Sequence, residues 1–109
     1  MPISLAAHLG FAYLVAAMAV LGVWWPLGRR IMIYALTVHI AIGIWVIVSG
    51  LQAPILHYIF ASLGWIGYMV ANPMSKRAGR ENAAFALTIA SSVFVLVAFA
   101  IGLWAVKGG

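Results

Sequence analysis

Four apolar runs leave this chain almost no choice of environment. They cover about residues 3–25, 31–49, 55–71 and 83–106. A helix crosses the hydrocarbon core of a bilayer with about 20 apolar residues, within a range of about 17–25. Of the 109 residues, 67% are hydrophobic and only 6% are charged. A soluble domain carries about 25% charged residues, so no water-facing surface can be built from this composition. The expected fold is all-α: one integral membrane domain over residues 1–109, an up-down-up-down bundle of four transmembrane helices.

The charges that remain set the orientation. Six Lys and Arg residues stand against one acid, Glu81, for a net charge of +5. In a soluble protein that balance suggests nucleic acid. Here Arg29 and Arg30 fall between runs one and two, and Lys76, Arg77 and Arg80 between runs three and four. The connection between runs two and three has none. Cationic loops stay on the cytoplasmic side, which puts both termini outside, as for a protein of a bacterial inner membrane. The expected partner is the lipid bilayer, not nucleic acid.

Local signals mark the boundaries. Run one ends at Trp24-Trp25-Pro26, two interfacial aromatics and a helix breaker, and it reads as a retained helix instead of a signal peptide. Leu27-Gly28-Arg29-Arg30 reads as a tight basic turn. Gly50-Leu51-Gln52-Ala53-Pro54 is a short uncharged turn with Pro54 where a helix can begin. Asn72-Pro73 is expected to stop helix three.

Little chemistry is available. The absence of Cys excludes disulfides and thiolate metal sites. A single carboxylate excludes a paired acid–base site, and no membrane-embedded acid is present for a cation- or proton-coupled transporter. No catalytic residue is expected. What remains is three histidines, His8, His39 and His57, one in each of the first three runs. Counted at 1.5 Å per residue from the outer face, His8 lies roughly 7 Å deep, His57 roughly 5 Å and His39 roughly 15 Å. His8 and His57 therefore share a level and His39 lies below them.

Two imidazoles at one level on separate helices can hold a metal from opposite sides, as haem iron requires. A macrocycle lies flat on the helices that carry its ligands, so residues one turn away must be small. Ser4 and Ala12 flank His8, Ala35 and Gly43 flank His39, and Ala53 and Ala61 flank His57, with Gly64 continuing that face. Membrane helices also use small residues simply to pack closely. His8 and His57 also suit interfacial imidazoles bonded to headgroups or water. His39 also suits a neutral imidazole bonded to a neighbouring helix, to Thr37 or to Tyr34. With no acid near them, ligating imidazoles would have to bond a backbone carbonyl, hydroxyl or water through the second nitrogen.

His8-Leu9-Gly10-Phe11-Ala12-Tyr13-Leu14-Val15 resembles the opening His-x-Gly-x-Ala-Tyr-Leu-Val of small bacterial four-helix cytochrome b-like membrane proteins. Thr37-Val38-His39-Ile40-Ala41-Ile42-Gly43 is similar to their second helix. His57, Gly67-Tyr68 and Ser75-Lys76-Arg77-Ala78 are similar to their third helix and the basic loop after it. The chain departs from that pattern at His57-Tyr58, where His-Pro would stand. The resemblance implies haem b and electron transfer within the membrane; it does not assign the ligands. The level that His8 and His57 share makes them the expected axial metal ligands, in a carrier linked to quinone or to a larger redox complex. His39 is expected beside the cofactor or as an alternative ligand, and Ser4, Ala12, Ala35, Gly43, Ala53, Ala61 and Gly64 are expected to line it. Two other readings stay open. Short loops and scarce charge also suit a cofactor-free accessory subunit packed on other membrane subunits of a respiratory, photosynthetic or monooxygenase complex. The Ala35/His39 spacing also suits a chlorophyll-type pigment whose magnesium is held by one imidazole.

Overall fold

A computed structural model describes residues 2–107. Those residues form four helices and no strand. They are α1 (Ile3–Leu21), α2 (Pro26–Val48), α3 (Ile55–Met74) and α4 (Glu81–Val106). All four are long and apolar enough to cross a membrane. Each helix touches two neighbours in a square, α1–α2–α3–α4, with α1 packed most closely on α2 and α3 on α4. The bundle is 47 Å long and 20 Å across.

The boundaries follow the sequence except at the prolines. Run one leaves the α-helix at Leu21 and finishes as a 3-10 turn over Gly22–Trp24. Pro26 starts α2 instead of closing α1. Its missing N–H falls at a position where the helix has no use for one. The basic residues Arg29 and Arg30 therefore sit in the opening turns of α2, not in a loop. Asn72-Pro73 does not stop α3, which runs on to Met74. Pro73 falls in the last turn, so its lost hydrogen bond and ring clash affect a helix end, where they are tolerated. Gly50 and Gly79, at φ 94° and 78°, turn the chain in two of the three interhelical connections, α2–α3 and α3–α4. Only glycine adopts that left-handed backbone without steric cost.

Polar side chains tie the two ends. At one end Arg29 Nε donates to Asn72 Oδ1 at 3.3 Å and its Nη2 to Ser75 Oγ at 2.6 Å. That places the start of α2 beside the end of α3, at the basic end. At the other end Ser4 Oγ donates to Ser49 Oγ at 3.2 Å, joining the start of α1 to the end of α2.

Helix association inside lipid gains nothing from removing apolar surface from water, so it depends on close backbone approach and on interhelical hydrogen bonds. The α3–α4 seam uses both. A Cβ on Gly64 would stand 2.6 Å from Val95 Cγ2 and 3.1 Å from the Ser91 carbonyl, and one on Gly67 would overlap Ser91 Oγ. Tyr68 and Ser92 share a buried 2.6 Å hydrogen bond across the same seam. Val15, Ala19, Met32, Leu36, Tyr68 and Val95 form the compact core. Toward the uncharged end the bundle is hollow.

Candidate cofactor site

That hollow is a cavity of about 390 Å³, and all four helices line it. Val15, Leu36 and Val95 belong both to the core and to its wall. At the uncharged end, Leu51, Gln52 and Ala53 of the α2–α3 connection also line it. Tyr58 holds that connection in place, its hydroxyl accepting a hydrogen bond from the Ala53 N–H at 2.9 Å. This is the work of the residue that departs from the His-Pro pattern; the proline stands at Pro54, the N-cap of α3.

The structure brings His8, His39 and His57 together in this cavity. The His8 and His39 rings are stacked, centroids 4.0 Å apart and planes within 10°. His57 stands edge-on to His8 at 6.3 Å and 80°. Phe11, one turn beyond His8, covers His39 at 6.0 Å. The His8 ring rests over Gly43, one turn nearer the uncharged end than His39, and still reaches the His39 ring. Gly43 makes that contact possible. A Cβ there would meet His8 Cε1 at 3.1 Å, so the bare backbone lets the His8 ring lie across α2 and reach His39. Gly43 makes room for an imidazole of another helix, where the sequence suggested open space beside His39.

Gly102 does the same for His57. A Cβ on it would come within 2.8 Å of His57 Cε1. His57 Nδ1 lies 2.7 Å from the Ala98 carbonyl, which can only accept, so Nδ1 carries the proton and Nε2 presents a lone pair. A backbone carbonyl that fixes tautomer and ring direction is a common support behind a metal-bound imidazole. At His8 and His39 the Nδ1 atom is instead buried without a partner. Neither Thr37 nor Tyr34 bonds His39. Thr37 Oγ1 donates to the Ile33 carbonyl and accepts from Trp65 Nε1, while Tyr34 is exposed.

The small residues divide into two groups. Ala12, Gly43, Ala53 and Ala61 line the cavity. Ser4, Ala35 and Gly64 do not. Ser4 bonds Ser49, Ala35 packs beside the core, and Gly64 is pressed against α4. Ala98 and Gly102 complete the site from α4. The sequence offered no reason to choose them, because that helix carries no histidine to mark its inward face.

Whether these residues suit a haem depends on the donors and on the gap between them. No group of three His, Asp or Glu residues among the described residues is arranged to hold a metal ion. A bare ion requires about four protein ligands or three plus water. A tetrapyrrole supplies four nitrogens of its own and asks the protein for one or two. The stack leaves no gap between His8 and His39 for a macrocycle. The α1–α2 pair and His57 do stand apart. His8 and His57, on separate helices, stand 6.3 Å apart between ring centres. A set of imidazoles with no acid and no thiolate suits a tetrapyrrole, which asks for one or two donors, better than a bare ion. The cavity is at the small end of the roughly 300–1,000 Å³ typical of ligand sites.

The chain matches no known protein family, no curated protein and no solved structure.

Proposed function

We propose that this protein is a membrane-embedded b-type haem protein that carries electrons, either linked to quinone or as a subunit of a larger redox complex. The observation that carries the reading is the convergence of three imidazoles in one cavity, one of them oriented by a backbone carbonyl and two with buried Nδ1 atoms unpartnered. Burying such an atom costs about 1–3 kcal/mol. A fold that keeps two of them has a use for the rings.

When bound, haem supplies one-electron chemistry at its iron. The protein's part is to position and to exclude. His57, held by the Ala98 carbonyl and seated over Gly102, would be one ligand. His8, seated over Gly43 and stacked on His39, would be the other. Ala12, Ala53 and Ala61 leave flat wall, and the core closes the site off from the basic end. With the basic end in the cytoplasm, both termini and the site lie toward the outer face of a bacterial inner membrane.

The test is an optical spectrum of protein purified in mild detergent. A Soret band and a split α band on reduction are expected. Folded protein without them overturns the proposal.

One observation favours a cofactor-free accessory subunit instead: His8 and His39 already fill each other's open face. On that reading the protein would co-purify stoichiometrically with larger membrane subunits, and replacing all three histidines would leave the assembly intact.

A further inference from the structure

We propose that His8 and His39 are alternative ligands for one coordination position, opposite an invariable His57. The inference rests on the haem reading and goes beyond it by assigning the α1–α2 side two interchangeable donors where one is needed.

The argument begins with the asymmetry of support. The His57 ring is fixed by its bond to the Ala98 carbonyl and by its fit over Gly102. Such a partner sets both the tautomer and the direction of a ligating ring. The Nδ1 atoms of His8 and His39 have no such partner. Their rings are parallel at 4.0 Å, so they occupy neighbouring slots on the same side of the cavity. Replacing one by the other at a common metal would break no bond to either Nδ1. Gly43 leaves the His8 ring room on α2, because a Cβ there would stand 3.1 Å from its Cε1. Phe11 also stacks on His39. Carried on separate helices, the two imidazoles also sense different movements. A shift of α1 against α2 would change which ring is bound, and with it the electronic environment of the iron.

The experiment compares haem-loaded wild type with His8→Ala, His39→Ala, the double variant and His57→Ala, by optical and electron paramagnetic resonance spectra of the oxidised state. Circular dichroism serves as the control for folding. Each single variant on the α1–α2 side is expected to keep a six-coordinate low-spin signal, with haem content within about twofold of wild type. The double variant and His57→Ala are expected to lose that signal. Millimolar imidazole is expected to restore it in the double variant, which shows that only the ligand was missing. Loss of the low-spin signal in either single variant overturns the proposal and makes that histidine the sole ligand. Its survival in the double variant overturns it as well. Wild type that takes no haem overturns the haem reading itself, a result none of these variants can mimic.

Discussion

The imidazole of His8 lies flat on that of His39, 4.0 Å between centroids, although the two residues come from antiparallel helices and stand at different distances from the uncharged end. The contact exists because α2 carries glycine, not a side chain, where the His8 ring crosses it.

Removing the buried nitrogens should stabilise the cofactor-free bundle. His39→Leu replaces a polar ring with an unpartnered Nδ1 by an apolar side chain of similar reach. The expected gain is about 1 kcal/mol, less than the full desolvation cost because the packing on His8 and Phe11 is partly lost. Thermal unfolding of the apo protein in detergent checks it. A loss of more than about 1 kcal/mol would mean that the stack stabilises more than the orphaned nitrogen costs.

The seats under the rings should be sensitive to a single methyl. In Gly102→Ala the new Cβ falls 2.8 Å from His57 Cε1, so the ring must move and its bond to Ala98 must stretch or break. Overpacking of this kind costs about 1–3 kcal/mol. Gly10→Ala is the control, since a Cβ there meets nothing within 4 Å. Equal melting behaviour of the two variants would contradict the seating.

The α3–α4 seam should show strong coupling between Gly67 and Ser91. Gly67→Ala places a methyl on Ser91 Oγ, and a cost of at least about 1–3 kcal/mol is expected. Ser91→Ala removes the clashing atom, which is buried and has no hydrogen-bond partner. The double variant should therefore recover most of the loss, in a cycle with a coupling energy well above about 0.5 kcal/mol. Additive effects would show that the helices separate instead of colliding.

Tyr68→Phe and Ser92→Ala should each weaken the same seam through the loss of their buried 2.6 Å bond. Interhelical hydrogen bonds in membranes contribute about 0.6 kcal/mol on average and up to about 1.7. The cycle between these two should fall in that range. A coupling indistinguishable from zero would mean that lipid or water replaces the partner.

Orientation can be measured directly because the chain has no cysteine. Gln52→Cys, in the uncharged connection, should react with an impermeant thiol reagent from the outside of intact cells. Lys76→Cys, in the basic connection, should react only after the membrane is opened. The opposite pattern would reverse the assigned orientation.

Much of the architecture is legible in the sequence. The four apolar runs and the sparse charges between them leave helices as the only economical way to satisfy backbone groups in lipid. Those constraints act locally along the chain. Prolines deceived at the boundaries because their effect depends on position within a helix: Pro26 and Pro73 look alike as breakers, yet one opens α2 and the other sits in the last turn of α3.

The sequence by itself determined that three imidazoles would sit one each on three helices long and apolar enough to cross a membrane. Only the tertiary structure decided that His8 would stack on His39 while His57 bonded Ala98. That choice depends on which helix faces meet and where a missing Cβ lets a ring pass. Gly43 and Gly102 act on histidines of other helices, and no spacing along one helix records such a relation. Helical periodicity fixes neighbours within a helix, whereas packing between helices fixes the partners across the cavity.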